Sequence, residues 1–356
     1  MSAEAAASPV KTARVDDRKA KERGEGDRVV AVIVTYGDRR RLLEQVLDGV
    51  LNEGVARAVV VDNAATWDVA STLTTRYGGS VDVIGMGSNT GPAKGFAVGI
   101  VRALDLGANY ILLLDDDNRP RPGMVQELLT TFRTQSRVTP LDLLALVPLR
   151  PGCYPGVEYL LAGEGNPRPD SFRGLHILDA HQRLWRRTPW GRPRPPRVMP
   201  ELIELQVACF GGLFFHRDLV ARIGLPNGAF VIYGDDTEYT FRIRQAGGRI
   251  LLATRAGLDD LEPSWARRAP RPLPLAWYVL GQDDVRAYYI TRNGAYFDAN
   301  YLQRRPLIFR INLLAFVALL RLLAIVYRRT SRYRLLRRAI RDGLAGRLGT
   351  HEAYRL

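Results

Sequence analysis

Ile111-Leu112-Leu113-Leu114-Asp115-Asp116-Asp117-Asn118 is an apolar run that stops on three carboxylates. With Tyr110 in front, it has the continuous apolarity of a strand buried on both faces. Three acids closing such a strand repel one another and are costly without a cation or a basic partner. Carboxylates two apart suit a hard divalent ion shared with a diphosphate. A solvated acidic turn or a helix cap is the plain alternative. Acidic turns are common, but three acids closing a buried strand are not.

Reading back from this stretch, the same pattern recurs. Residues 29–35 (VVAVIVT) form a continuous β-branched run, and residues 58–61 and 81–84 read as two more buried strands. Between them, helical spacing appears at 39–51 (Leu42, Leu43, Val46, Leu47, Val50), at 67–76, and at 91–106 behind Pro92. Strands alternating with helices predict an α/β fold with a doubly wound, mainly parallel sheet. Ligands of such sheets bind at the carboxyl ends of the strands. Those ends carry Thr35-Tyr36, Asp62-Asn63, residues 85–91 and the Asp115-Asp116-Asp117 triplet.

Reading forward, the order is looser. Strands are expected at 143–147 (stopped by Pro148), 175–178, 205–215 (containing Gly211-Gly212) and 249–253. A short helix is expected at 237–246, and 262–275 reads as a proline-rich loop. From Val285 the chain looks mostly helical. Gly234-Asp235-Asp236-Thr237-Glu238 sets three acids at the start of the 237–246 helix. N-capping accounts for one Asp, and a capping-box contact for Glu238, but not for the whole cluster. A general base beside an acceptor-binding carboxylate is the functional reading.

Residues 85–95 (GMGSNTGPAKG) follow a strand and open a helix. The spacing is neither a dinucleotide fingerprint nor a Walker loop. A loop and helix N-terminus near phosphates, with Lys94 as a point charge, is the modest reading; a glycine-rich turn with a solvated lysine is the other. Lys94 is one of four lysines, and the other three lie before residue 22. Asp62-Asn63 is turn chemistry or a nucleobase contact. His176, His181, His216 and His351 show no metal spacing.

Composition supports a globular chain. Of 356 residues, 46% are hydrophobic and 25% charged, which excludes a disordered protein, a collagen or a polytopic membrane protein. Two cysteines, Cys153 and Cys209, make no disulfide framework, so a reducing compartment is expected. Residues 1–28 read as a disordered leader without the apolar core of a signal peptide.

Net charge is +14, and +11 of it lies from Gln303 onward, where 13 arginines face two acids. Charge confined to one segment argues against a nucleic-acid-binding core. Residues 307–327 are apolar, but Arg310 and Arg321 interrupt them. On one continuous helix Arg310, Arg321, Arg328 and Arg332 would fall within about 40° of one another. Such a stripe predicts a helix lying on an anionic membrane surface rather than crossing it. Packing on the main domain or in a homo-oligomer interface is the alternative.

Taken together, the motifs resemble an inverting nucleotide-sugar glycosyltransferase of family 2 with the GT-A fold. They are V-x-V-x-V-T-Y at 30–36, V-V-V-D-N at 59–63, N-T-G-P-A-K-G at 89–95, L-D-D-D at 114–117, G-G-x-F-F at 211–215, G-D-D-T-E-Y at 234–239 and Y-Y-x-x-R-N at 288–293. The last two lean toward the galactofuranosyl- and rhamnosyl-transferases of bacterial envelope polysaccharide synthesis. The resemblance implies a catalytic domain over 29–300, with a nucleotide-binding half at 29–120 and an acceptor-binding half at 121–300. The basic helical tail of 301–356 follows it.

By the same resemblance, Thr35, Tyr36, Asp62, Asn89, Lys94, Asp115 and Asp116 would bind a UDP- or dTDP-linked donor. Asp115 and Asp117 would hold Mn²⁺ or Mg²⁺. Gly211, Gly212, Asp235 and Glu238 would serve a glycan or polyprenyl-linked acceptor, and Asp236 would be the base. The branch often has a downstream His as a further metal ligand; here Asp259 or Asp260 would replace it. The expected place is the cytoplasmic face of the membrane. A non-catalytic partner in a polysaccharide assembly complex and a nicotinamide-dependent oxidoreductase are the competing readings.

Overall fold

Val29–Gly37 (β1) is buried along its first seven residues, and its neighbours set the register of the molecule. It pairs in parallel with Arg57–Ala65 (β2) on one side and Tyr110–Asp115 (β4) on the other; β2 pairs in parallel with Val81–Gly85 (β3). Thr35 stands opposite Asp62, Val34 opposite Asp115, and Asp62 opposite Gly85. The polar strand ends therefore share one edge of the sheet. This is a computed structural model, and it describes residues 27–151, 157–163, 165–179, 181–182, 185, 188–262, 275–281 and 283–356. Residues 1–26 of the expected leader, Cys153 and residues 263–274 of the proline-rich loop lie outside the described residues.

Alternation along β1 assigns its side chains to two cores. Val29, Ala31 and Ile33 pack with Arg40–Asn52 (α1), Val69–Tyr77 (α2) and Met124–Gln135 (α4). Val30, Val32 and Val34 face Pro92–Asp105 (α3) on the opposite side. Helices on both faces explain why β1 carries no polar side chain before Thr35. In α1, Leu43, Val46, Leu47 and Val50 are fully buried, the stripe that its spacing predicts.

Beyond β4 the sheet turns mixed. Its order is β3-β2-β1-β4-β8-β6-β9-β5, with β7 on β9. Leu144–Leu149 (β6) pairs in parallel with Arg249–Asp260 (β9), while Phe214–His216 (β8) runs antiparallel to β4 and β6. Leu202–Leu205 (β7) and Asn118–Pro120 (β5) lie antiparallel to β9. A five-residue helix, Val157–Leu161 (α5), follows β6, and Asp218–Ile223 (α6) follows β8.

Three expectations are corrected. Residues 205–215 are not one strand: β7 ends at Leu205 and β8 begins at Phe214. Gly212, at φ +94, turns the chain between them. Residues 175–178 are not a strand either. Phe172 and Leu175 form an isolated bridge around Arg173 and Gly174, both at positive φ, and Ile177–Asp179 is a 3₁₀ turn. The Ile177 amide donates to the Asn312 side chain at 2.9 Å instead of to a ladder. The single basic stripe also fails. The helix Pro306–Val326 (α10) ends before Arg328, which takes φ +53. Arg332 belongs to the next helix, Thr330–Leu344 (α11), and is buried there.

A third core joins α10 and α11 to Ala276–Leu280 (α8) and Asp284–Phe297 (α9) through Tyr278, Tyr288, Phe316, Leu320 and Leu336. Arg332 ties this bundle together: its guanidinium donates to the carbonyls of Tyr278 (3.1 Å) and Gly281 (2.6 Å) and pairs with Asp284. Only one side of α10 enters the core, through Phe309, Asn312, Phe316, Leu320 and Ala324. Leu307, Ile311, Leu314, Leu322 and Ile325 are exposed on the other side.

Candidate active site

The acidic triplet is divided by burial. Asp116 points inward and is 3% exposed; Asp115 stays half-exposed. Asp116 accepts from the buried Thr35 hydroxyl at 2.9 Å and from the Arg39 Nε at 2.6 Å. Burial pushes its carboxyl up to about 7, although Arg39 and Thr35 pull it down. Thr35 and Asp116 thus hold the loop from beneath, and neither side chain opens toward the cleft. Arg39 also reaches Asp117 (3.2 Å) and Glu262 (2.9 Å). Its guanidinium carbon lies 5.5 Å from the ring centre of Tyr36, which is 48% exposed at the end of β1.

A second arginine enters from the end of β6. Arg150 pairs with Asp260 through its Nε and with Asp115 at 3.3 Å. Between them lies Asn118, fully buried, whose amide donates to Asp117 and Asp260 at 3.1 Å each. The β5–β9 pairing sets Asn118 opposite Asp260. Asp259 is turned away and pairs with Arg121 at 2.7 Å. Of the two aspartates proposed to replace a metal-binding histidine, Asp260 lies with the triplet and Asp259 does not. Burial, then the charges of Asp115 and Asp260, lift Asp117 to about 6 against the pull of Arg39 and Arg150. A Cβ at Gly211 would overlap Asn118 and Arg150 and would lie 2.7 Å from Asp115. Glycine at 211 makes room for these side chains; Gly212 turns against Pro148.

These carboxylates offer only oxygen donors, and the Asp260 Oδ2 is buried without a hydrogen bond. That chemistry suits Mg²⁺ or Mn²⁺. Among the described residues no three such side chains stand assembled around one point. Arg150 is paired with both Asp115 and Asp260.

The loop between β3 and α3 is fixed by Asn63, to which the sequence reading gave no role of its own beside Asp62. The Asn63 side chain accepts from the Thr90 amide (2.8 Å) and hydroxyl (3.1 Å) and donates to Asn89. Asn89 in turn accepts from the Gly91 amide at 3.1 Å. Asp62 accepts from the Ala65 amide at 2.7 Å. Gly91, at φ +83, has no room for a Cβ because the Val231 carbonyl lies against it. Lys94 is exposed in the first turn of α3 beside Gly228 and makes no ion pair among the described residues.

Asp235–Gln245 (α7) begins at Gly234, in the left-handed region, after a turn in which Val231 and Tyr233 also take positive φ. Non-glycine residues there are strained. Asn293 holds the turn: its amide donates to the carbonyls of Phe230 (2.8 Å), Ile232 (2.9 Å) and Tyr233 (2.8 Å). Arg292 donates to Asn293 (2.9 Å), to the Phe230 carbonyl (3.1 Å) and to Gly349. The sequence marked Arg292-Asn293 as a motif without giving it a task.

Asp236 accepts from the Thr237 amide at 2.6 Å; burial, and among charges Asp115, raise its carboxyl. Asp235 is raised further by burial and by Asp236, and its Oδ2 has no hydrogen-bond partner. Glu238 is 2% exposed and held by Arg242 (3.1 Å) and the Tyr301 hydroxyl. A cavity of about 170 Å³ beside this helix is lined by Arg173, Tyr233, Gly234, Thr237, Asn293 and Phe297, among others.

The glycosyl transferase family 2 sequence model matches residues 30–139. Galactofuranosyltransferase GlfT1 of Mycolicibacterium smegmatis is 28% identical over 281 residues, 75% of this chain and 82% of that protein. GlfT1 of Mycobacterium tuberculosis is 25% identical over 222 residues; the chain spans 62% of its length. Among solved structures, GalNAc-T7 with UDP, GalNAc and Mn²⁺ superposes with a TM-score of 0.50 at 16% identity, over 76% of this chain and half of that one. That likeness concerns the fold, which is of the GT-A type.

Proposed function

For a glycosyltransferase with a family 2 domain, resembling the galactofuranosyltransferases, we propose inverting transfer of a galactofuranose- or rhamnose-class sugar. The donor is a UDP- or dTDP-linked sugar and the acceptor a glycan or lipid-linked glycan of a bacterial envelope polysaccharide. The observation that supports this reading most is the approach of two acidic groups from different elements. Asp115 at the end of β4 is close enough to Asp236 at the start of α7 for its charge to add to the burial that raises the Asp236 carboxyl. A carboxylate suited to handling the donor and a second one made more basic by burial therefore stand near one another.

In this mechanism Tyr36, exposed at the strand end, stacks on the base, and Lys94 lies at the diphosphate. Asp236 takes the proton from the acceptor hydroxyl. That oxygen attacks the anomeric carbon opposite the diphosphate, whose bond to the sugar breaks, and the centre inverts. The turn before α7, hydrogen-bonded by Asn293, holds Asp236 in place, and Asp235 positions an acceptor hydroxyl. Asp115, Asp117 and Asp260 would hold a divalent ion, which when bound would offset charge on the departing diphosphate. The exposed apolar side of α10 and the arginines near it support a position on the cytoplasmic face of the membrane.

Asp236→Asn tests the base. Transfer should fall by about 10²–10⁴, while binding of the nucleotide sugar, followed by calorimetry, stays within a few-fold of wild type. Full transfer by this variant would remove the assignment.

A further inference from the structure

A second cavity, of about 320 Å³, lies at the head of α10 and is lined by Arg168, Asp170, His176, Arg304, Arg305 and Ile308, among others. We infer that it takes the phosphate of a lipid-linked acceptor, an assignment that rests on the transfer reading above. Three guanidiniums line it against one carboxylate. The Asp170 Oδ1 is already engaged by the amides of Arg304 (2.7 Å) and Arg305 (2.6 Å). Arg168 pairs with Asp179. Arg304 and Arg305 make no ion pair among the described residues, unlike Arg39, Arg150 and Arg332, whose charges are all matched. Planar guanidiniums with uncommitted donors match the oxygens of a phosphate or diphosphate.

Two placements make the phosphate a lipid's. Ile308 lines the cavity, and Leu307, Ile311 and Leu314 continue from it as the exposed apolar side of α10. A phosphate in the cavity would therefore have its hydrocarbon beside the face most suited to the acyl layer. Asp170 lines this cavity and Arg173 lines the one beside Gly234 and Thr237. Three residues of chain span at most about 10 Å, the scale of a sugar joined to a diphosphate. The arginine cavity would hold the phosphate while the sugar lies near Asp236. Phospholipid headgroups and soluble phosphates share this chemistry, so the test has to separate them.

The full chain is assayed by flotation with phosphatidylcholine vesicles carrying either a long-chain polyprenyl phosphate or an equal charge of phosphatidylglycerol. Arg304→Gln/Arg305→Gln is compared with Arg334→Gln/Arg337→Gln, the same charge change on α11. The polyprenyl phosphate vesicles should bind more tightly than the phosphatidylglycerol ones. The Arg304/Arg305 variant should lose that preference by about tenfold or more, and the α11 variant should keep it. Equal losses in both variants, or no preference in wild type, would overturn the assignment and leave only general attraction to anionic surfaces. Inorganic pyrophosphate that displaces wild type from both vesicle types alike, with no lipid preference, would assign the cavity to a soluble phosphate. Nucleotide-sugar binding is measured on the same samples. Its absence in wild type counts against transfer itself, whereas its presence with no vesicle preference counts against the cavity alone.

Discussion

At the scale of single residues, the site is a set of like charges held close by arginine. Asp115, Asp117 and Asp260 lie around Asn118, and Arg39 and Arg150 supply the opposing charge. Removing one partner from such a buried set leaves the other uncompensated, which costs more than the pair gains when intact. Arg150→Gln should therefore lower the melting temperature in EDTA. A divalent ion replaces the lost charge, so Mn²⁺ should raise the variant's melting temperature more than the wild type's, which a scan with and without metal reads directly. An equal Mn²⁺ response in both proteins would place the ion elsewhere. The acids were legible in the sequence because carboxylates closing an apolar strand are conspicuous. Arg39 and Arg150 were not, because each is one arginine among dozens and only the folded chain brings it to the triplet.

At the scale of elements, the turn from α9 into α10 carries a buried acid. Asp298 accepts from the Arg173 amide at 2.6 Å, and burial raises its carboxyl to about 6 despite Arg173. Because the folded value exceeds the unfolded one, the folded state binds the proton more tightly. The stability this adds is complete below about pH 4 and disappears as pH rises through 6, up to about 3 kcal/mol. Asp298→Asn keeps an acceptor for the amide and removes the titration. Urea unfolding between pH 4 and 7 should show a shallower fall in stability for the variant, and parallel curves would refute the linkage. Strands β1 to β4 were legible at this scale because buried β-branched runs have few other uses. The three-residue β5 was not, since Pro120 reads as a turn, and β7 and β8 were fused because the gap between them is itself apolar. The extension of β9 to Asp260 depends on pairing with β5, a contact no local pattern encodes.

Across the whole molecule, charge and apolar surface are sorted to one end. α10 is long and apolar enough to cross a membrane, yet its buried side packs on α8, α9 and α11 and its arginines 310 and 321 are exposed. That arrangement suits a helix seated in the interface. Leu314→Glu/Leu322→Glu alters two exposed positions, so stability should change by no more than about 1 kcal/mol. Binding to anionic vesicles should fall by about a hundredfold or more, from two lost leucine insertions of roughly 1.5–3 kcal/mol each. Retained binding would mean that the arginines act without the apolar face, and rising salt should then abolish it.

The sequence by itself determined the alternation of strands and helices, the sheet edge where chemistry gathers, the two acidic clusters and the basic, apolar C-terminal segment. Each depends on local composition: period, burial and the cost of like charges set side by side. Tertiary structure decided which acids meet. It chose Asp260 over Asp259 through one strand pairing and buried Asp116 while leaving Asp115 half-exposed. It also gave Arg292-Asn293 the task of holding a strained turn 60 residues earlier in the chain. Such choices are made by contacts between distant segments, whose closure is rewarded only once the whole sheet and the helical bundle have formed.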